Sequence, residues 1–172
     1  DKSEGLMRAL GSFIDSLGGK YITTEDVGCT PRDIEYVARE TKYAVGLPTS
    51  MGGSGETSIM TGLGVYLGMK ACAKSKWGSD SLSGRKIALQ GFGHVSERLA
   101  PHLIKEGAQL IVCDLYQDAT EKAKEMGAQI VDPKDIYDVD CDIFAPNALG
   151  GILNSTTIPR LKCDIIAGGA NN

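Results

Sequence analysis

The second half of this sequence predicts an α/β fold with a parallel sheet, and two observations carry that prediction. Short apolar segments alternate with helical segments from residue 86 onward, and this alternation is typical of a parallel sheet that is covered on both faces. A glycine turn, Gly91-Phe92-Gly93, lies between the first apolar segment and the helix after it. Glycines at such a point permit a tight turn and the close approach of a ligand to the backbone.

The pattern places five strands and four helices in this half. We expect strands at 86–90, 109–113, 129–131, 141–145 and 164–167, and helices at about 94–106, 117–126, 133–137 and 156–161. The strands are short apolar runs, as expected for a sheet whose two faces are buried. Because the chain stops just past the fifth strand, we expect a piece of a larger protein.

The first half predicts two helices, a short strand and a loop before a long helix. Leu6, Leu10, Phe13, Ile14 and Leu17 have helical spacing, so we expect a helix that is already running at the first residue. Residues 21–27 predict a short strand. Thr30 followed by Pro31 predicts an N-cap and a helix through about Glu40. A loop at 47–56, a long helix at 57–77 and a turn-rich stretch at 78–84 follow.

Composition and charge exclude several classes of protein. The 172 residues are 42% hydrophobic and 23% charged, which is the balance of a globular chain. The net charge is −4 and no basic stripe is visible, so neither a nucleic acid nor an anionic membrane is an expected partner. The apolar runs are much shorter than a bilayer span, and the first residues lack the pattern of a secretion signal.

Five cysteines are spread widely through the chain and form no C-x-x-C pair. This spacing suggests neither a zinc site nor a disulfide framework, and we expect no bound metal. Cys113 and Cys141 lie in predicted strands, where they are expected to act as small buried apolar residues. The cysteine usage favours a reducing compartment and hence a cytoplasmic protein.

The glycine turn has the features of a dinucleotide-binding site, although a plain tight turn between strand and helix is the alternative. Gly91 permits the turn, and Gly93 would let the backbone approach a pyrophosphate at the N-terminus of the next helix. Phe92, His94 and Val95 complete the segment that we expect to contact the cofactor. Ser96 takes the third fingerprint position, where glycine or alanine is usual, and it is small enough to keep helix and strand close.

Asp114 ends the second strand, 23 residues after Gly91. An acid at this distance would accept hydrogen bonds from both adenosine ribose hydroxyls and repel a 2′-phosphate, so the expected cofactor is NAD, with Leu115 beside it. The alternative role of Asp114 is a helix N-cap. Since ligands of such sheets lie outside the carboxyl ends of the strands, we add Ala145, Pro146 and Asn147 to the cofactor-binding residues.

Six segments in one order resemble the glutamate/leucine/phenylalanine/valine dehydrogenase family, and most of all its leucine and phenylalanine branch. They are residues 21–28 (YITTEDVG), 53–55 (GSG), 61–65 (TGLGV), 90–95 (QGFGHV), 141–150 (CDIFAPNALG) and 166–172 (IAGGANN). The resemblance extends over the whole chain. It implies a Rossmann-type NAD-binding domain at 57–172, without its final elements, after the C-terminal part of a catalytic domain at 1–56.

The resemblance also implies a reaction, the NAD-dependent oxidative deamination of an L-amino acid to a 2-oxo acid and ammonia. By motif, Asp26 matches the family's catalytic aspartate, Thr61 a threonine near the nicotinamide, and Asn171 an asparagine that contacts cofactor or substrate, with Asn172 a weaker candidate. The family's two active-site lysines would lie upstream of Asp1. We therefore expect this chain alone to be inactive, and the parent enzyme to be a homo-oligomer.

The substrate is expected to be leucine first and phenylalanine second. By motif, Thr24 and Val45 match side-chain pocket positions, and Asn171 belongs to the same pocket. Two residues cannot separate Leu, Val, Ile and Phe, because one methylene in an apolar slot is worth only ~1–3 kcal/mol. Asn147 departs from the family, which usually has cysteine or another small residue there, and His94 replaces a common asparagine.

Two other functions compete with this interpretation. A hydroxy-acid dehydrogenase would need a histidine paired with a carboxylate, and the sequence indicates no such pair for His94 or His102, which are interpreted as solvent-edge residues. A non-enzymatic NAD-sensing module would bind NAD without any catalytic segment. The encoded residues before Asp1 would decide, because a glycine-rich segment with two lysines would favour the enzyme.

Overall fold

The computed structural model describes residues 2–171. The chain divides into two compact units, Asp1–Thr57 and Ser58–Asn172. The assignment of these units to a catalytic and a cofactor domain stays a prediction. None of the helices within residues 2–171 is both long and apolar enough to cross a membrane.

The first unit contains two α-helices, α1 (Glu4–Ser16) and α2 (Pro31–Ala38). The N-cap that the sequence predicts for α2 is confirmed, since the Thr30 hydroxyl accepts a hydrogen bond from the Asp33 N–H while the Asp33 carboxylate accepts one from the Thr30 N–H. These bonds with Thr30 lower the pKa of Asp33 below its ordinary value. Among the described residues helix α1 begins at Glu4, because the Ser3 hydroxyl accepts the Leu6 N–H and caps it, and the start expected at Asp1 lies outside them.

Only part of the apolar spacing of α1 is buried. Met7, Gly11 and Ile14 are buried in the first unit, whereas Leu6 and Phe13 are 56% and 62% exposed. Gly11 explains the choice of face, because a Cβ at this position would meet the carbonyl oxygen of Val37 in α2. Helix α1 approaches α2 through its smallest residue, which apolar periodicity alone does not reveal.

The strand expected at 21–27 is wrong. Only Thr23 pairs, in an isolated parallel bridge to Ala44. The Asp26 carboxylate accepts the Val27 N–H at 2.7 Å and its carbonyl accepts the Cys29 N–H at 2.9 Å. These local bonds form a turn where the strand was expected to continue.

The second unit is a parallel sheet with helices, and the predicted fold class is confirmed. Helix α3 (Thr57–Trp77) leads into it, and the remaining elements are β1 (Lys86–Gln90), α4 (His94–Lys105), β2 (Gln109–Cys113), α5 (Gln117–Glu125), β3 (Gln129–Ile130), β4 (Ile143–Pro146) and β5 (Ile165–Ile166). The strand order is β3-β2-β1-β4-β5, with every pair parallel. The first two strands have the expected bounds, and the other three are shorter or shifted by one or two residues.

Side chains are buried on both faces of the sheet. Residues from α3, α4 and α5 pack with Ile87 and Leu89 on one face, and Ala88 and Phe144 belong to a second cluster with Ile136. Cys113 and Cys141 are buried free thiols, as expected, and burial raises their pKa values to about 11 and about 12.

Two of the four expected helices of this unit are only single 3-10 turns, at Ile136–Asp138 and Ile158–Arg160. In the first segment the Asp132 carboxylate accepts the Lys134 N–H at 3.0 Å, which competes with helical bonding. In the second, Pro159 has no N–H to donate, and the Asn154 side chain accepts the Thr156 N–H at 2.9 Å.

A half-buried carboxylate joins α3 to the end of α4. Glu106 accepts hydrogen bonds from the Tyr66 hydroxyl at 2.7 Å, the Lys70 ammonium at 2.6 Å and the Leu82 N–H at 3.1 Å. Burial alone would raise the pKa of Glu106, but the bonds from Lys70 and Tyr66 outweigh it and lower the pKa. The contribution of ionised Glu106 to folding stability is therefore fully present above the ordinary carboxyl pKa. It is lost as the pH falls through the lowered pKa of the folded state.

The same two helices touch where α3 has a buried glycine. A Cβ on Gly62 would lie 2.9 Å from the Arg98 Cβ and 3.0 Å from the Leu99 nitrogen, both in α4, whereas a Cβ on Gly68 would meet nothing within 4 Å. We expect Gly62→Ala to lower the free energy of unfolding by ~1–3 kcal/mol because it forces the helices apart. Gly68→Ala is the matched control in the same helix, with an expected gain of ~0.5–1 kcal/mol. Urea denaturation measures both, and equal effects would contradict the assigned contact.

Candidate functional site

The glycine turn lies at the carboxyl end of the central strand β1. Gly91 has φ +95°, a region that favours glycine, and a Cβ there would lie 2.8 Å from the Ala148 nitrogen. Its N–H donates to the Cys113 carbonyl at the end of β2, and its carbonyl accepts the Ser96 hydroxyl at 2.7 Å. The turn is therefore fixed to β2, to α4 and to the loop after β4.

Open space lies beside Gly93 at the N-terminus of α4. Gly93 is the N-cap, no side chain in residues 2–171 caps this helix, and a Cβ on Gly93 would meet nothing within 4 Å. The first N–H groups of a helix have no partner within it, and they carry a partial positive charge. His94 is exposed and Val95 half-buried beside them, whereas the Phe92 side chain is buried in the core. The arrangement fits an anionic group such as a pyrophosphate.

Asp114 holds the turn from the end of β2. One carboxylate oxygen accepts the Phe92 N–H at 2.6 Å and the other accepts the Tyr116 N–H at 2.9 Å. The alternative role as N-cap is wrong, because the N-cap of α5 is Tyr116. A carboxylate has about four acceptor positions, so two remain for ribose hydroxyls. Leu115, expected beside the cofactor, is 85% exposed.

The loops after β4 and β5 pack against each other backbone to backbone. A Cβ on Gly168 would overlap the Pro146 carbonyl oxygen, and one on Gly150 would overlap the Asn171 carbonyl oxygen. Ala145 and Pro146 are buried within β4, and the exposed Asn171 follows β5. The predicted residues of these two loops are thus brought together, while Asn172 lies outside the described residues.

Asn147 connects these loops to the glycine turn, a contact that the sequence analysis missed. Its N–H donates to the Gln90 carbonyl, its amide NH₂ donates to the Ser96 hydroxyl at 3.0 Å, and its amide oxygen accepts the Gly169 N–H at 2.8 Å. The available signal was that Ser96 and Asn147 are both polar where the resemblance leads one to expect small residues.

In the first unit, the two predicted pocket residues lie beside each other. The Val45 N–H donates to the Thr23 carbonyl at 2.8 Å, so Thr24 and Val45 directly follow the bridge between Thr23 and Ala44. The side chains of Thr24 and Val45 are exposed, and so is that of Asp26, two residues after Thr24. Thr61, expected near the nicotinamide, is an exposed residue of α3 in the second unit.

The two histidines differ from one another. His94 is exposed, as expected, but His102 is half-buried and stacks on Tyr66 with 5.2 Å between ring centroids. His102 is therefore a packing residue and not a solvent-edge one. Among residues 2–171, no group of three or more His, Cys, Asp or Glu side chains is placed to hold a metal ion.

The strand order and the turn at the end of β1 define a Rossmann-type α/β unit, whose ligands lie at the carboxyl ends of the strands where the order reverses. Residues 52–120 match the family model "Glutamate/Leucine/Phenylalanine/Valine dehydrogenase". Over these residues the chain is similar to this family.

Curated relatives match throughout the chain. Leucine dehydrogenase of Thermoactinomyces intermedius is 53% identical over 173 residues, L-tryptophan dehydrogenase of Nostoc punctiforme is 49% identical, and phenylalanine dehydrogenase of Thermoactinomyces intermedius is 45% identical. Each match covers 100% of this chain but only 47–48% of the relative. The chain thus spans about half the length of the curated relatives it matches.

Solved structures show the same similarity, again over about half of the matched chain. The crystal structure of L-tryptophan dehydrogenase from Nostoc punctiforme is 46% identical, with a TM-score of 0.75, and the match covers 99% of this chain and 48% of that one. A hetero-hexameric glutamate dehydrogenase from Thermus thermophilus has a TM-score of 0.77 over 98% of this chain and 46% of that one. At 20% identity this second similarity shows the fold alone.

Adjacent glycines after β5 provide a test of the loop packing. Gly168→Ala places a methyl group on the Pro146 carbonyl, so we expect it to lower the free energy of unfolding by ~1–3 kcal/mol. A Cβ on Gly169 has no neighbour closer than 3.5 Å, so Gly169→Ala should stay within about 0.5 kcal/mol of the parent chain. Thermal and urea unfolding measure the difference. A tolerated alanine at 168 would show that Gly168 and Pro146 are not in contact.

Proposed function

We propose that the second unit binds NAD at the carboxyl end of β1. The observation that carries the proposal is the combination of an uncapped α4 N-terminus, an open face at Gly93 and a carboxylate at Asp114 with free acceptor positions. Backbone N–H groups from Gly93 onward would hold the pyrophosphate, and Asp114 would hold the adenosine ribose. When bound, NAD supplies the nicotinamide ring that accepts a hydride.

The protein that contains this chain is proposed to deaminate an L-amino acid oxidatively to a 2-oxo acid and ammonia. The supporting observation is that dehydrogenases named for three amino acids match the chain along its whole length. Asp26 is the proposed catalytic carboxylate. The Asp26 carboxylate is held by the Val27 N–H, and its side chain is exposed. A carboxylate beside an amine can shift the pKa of a lysine and exchange protons.

Leucine is the first proposed substrate and an aromatic amino acid the second. Thr24 and Val45 follow the paired residues Thr23 and Ala44, and the exposed methyl group of the one and isopropyl group of the other suit an apolar side chain. Relatives named for leucine are 50–53% identical, and those named for tryptophan and phenylalanine are 45–49% identical. Asn171 would contact either substrate or cofactor. The five free thiols support the further proposal of a reducing, cytoplasmic compartment.

NADH binding to the 172-residue chain tests the cofactor proposal. We expect NADH to bind, with NADPH weaker because the Asp114 carboxylate repels a 2′-phosphate. Asp114→Asn removes that charge but keeps one oxygen for a backbone N–H, so it should weaken NADH binding ~10-fold or more and narrow the preference over NADPH. Fluorescence titration measures both ligands.

Glu125→Gln is the control for this charge change. It removes one negative charge from the exposed C-terminal end of α5 and should leave both affinities unchanged. Failure of the parent chain to bind NADH would overturn the cofactor proposal. An unchanged NADH/NADPH ratio in Asp114→Asn would refute the role of Asp114 alone.

Amino-acid-dependent reduction of NAD tests the reaction. We expect the full-length protein to reduce NAD with L-leucine, and Asp26→Asn to lower kcat ~10²–10⁴-fold through loss of the proton-exchanging group. The 172-residue chain should bind NADH without turnover, because the resemblance assigns the general base to a lysine upstream of Asp1. Robust turnover by this chain would disprove that assignment. NAD binding without turnover by the full-length protein would favour the sensing module instead.

A further inference from the structure

Three hydrogen bonds form one directed chain beneath the glycine turn. The Gly169 N–H donates to the Asn147 amide oxygen at 2.8 Å, the Asn147 NH₂ donates to the Ser96 hydroxyl at 3.0 Å, and the Ser96 hydroxyl donates to the Gly91 carbonyl at 2.7 Å. The chain therefore connects the loop after β5, the loop after β4, helix α4 and the turn after β1.

The direction of every bond is fixed. A backbone N–H only donates, so the Asn147 oxygen must face Gly169 and its NH₂ must face Ser96. A hydroxyl that accepts from this NH₂ has its own hydrogen left for a carbonyl, and the Gly91 carbonyl is in reach. No alternative orientation of the amide satisfies all three bonds, so Asn147 and Ser96 act as one unit.

Burial makes the two residues depend on each other. Ser96 is 0% exposed on the inner side of α4, where an unpaired hydroxyl would be costly. Asn147 is half-buried, and without Ser96 its NH₂ loses its acceptor. The dinucleotide fingerprint usually has glycine or alanine at position 96, and the resemblance implies cysteine or another small residue at position 147, so this polar link replaces packing that needs no hydrogen bonds.

We propose that Ser96 and Asn147 are a pair of positioning residues that hold the phosphate-binding turn in register with the loops after β4 and β5. The pair thereby aligns the two ends of a bound dinucleotide, the adenosine end at Asp114 and the nicotinamide end at these loops. This inference rests on the proposed function, and neither side chain needs to touch the cofactor.

A double-mutant cycle on the 172-residue chain tests the coupling, with NADH as the probe. Ser96→Ala and Asn147→Cys each remove two of the three hydrogen bonds, and each should raise the Kd for NADH about 3- to 10-fold or more. In the Asn147→Cys background, Ser96→Ala should raise the Kd by a smaller factor than in the parent chain, because the bond from Asn147 is already absent and only the bond to the Gly91 carbonyl remains to be lost. Fully additive losses would overturn the inference.

A comparison of AMP with NADH distinguishes a positioning role of the pair from a general destabilisation of the fold. AMP occupies only the adenosine end, so its Kd should change less than about 2-fold in either variant, while that of NADH rises. Equal losses for AMP and NADH would mean that the pair only stabilises the fold, and would overturn the inference. If Ser96→Ala does not fold, Asn147→Cys, at a half-buried position, gives the same comparison.

Thr120→Ala is the matched control. It removes a hydroxyl that donates only to the Gln117 carbonyl within α5, and it should leave both ligands unaffected. A parent chain that binds no NADH would refute the proposed function itself. Binding that survives in every variant at the parent affinity would refute only the positioning role.

Discussion

The site depends on backbone contacts that leave no room for a Cβ atom. At the carboxyl ends of the three strands β1, β4 and β5, Gly91 contacts Ala148, Gly168 contacts Pro146 and Gly150 contacts Asn171. Each contact joins segments at the carboxyl ends of two different strands of the sheet. Protein interiors are close-packed, so a single added methyl group at such a point must displace backbone and not a flexible side chain. The loops therefore have one mutual arrangement, and every polar contact of the site is built upon it.

Hydrogen bonds then fix the orientation of the glycine turn within these close-packed segments. Asp114 fixes the turn from β2 through the Phe92 N–H, and Ser96 fixes it from α4 through the Gly91 carbonyl. These bonds satisfy the polar groups that the turn would otherwise bury, while the first N–H groups of α4 remain uncapped by side chains within residues 2–171. The turn is thus rigid on its inner side and open on the side where a phosphate would approach.

Much of this could be predicted from the sequence, because the strands have clear local signals. The bounds of β1 and β2 agree with the apolar runs, and the N-cap at Thr30 follows from residue type alone. The buried face of α1 does not follow from the apolar spacing, because it is chosen by close approach at Gly11, a property of two helices and not of one. The link between Ser96 and Asn147 spans 51 positions, so no local pattern contains it. The site residues themselves stay predictions, supported by their placement.

The proposed substrate pocket is held far more loosely than the proposed cofactor site. Thr24 and Val45 lie beside a single isolated bridge and both are exposed, whereas the glycine turn is tied to β2, α4 and the loop after β4. Regions with few buried contacts tolerate substitution, because little packing is lost when a side chain changes. A change of substrate at such a pocket requires only different side chains. A change in the shape of the glycine turn requires the backbone to rearrange. Relatives named for leucine, tryptophan and phenylalanine all match this chain from end to end, which is the outcome expected when specificity lies in the loosely held part.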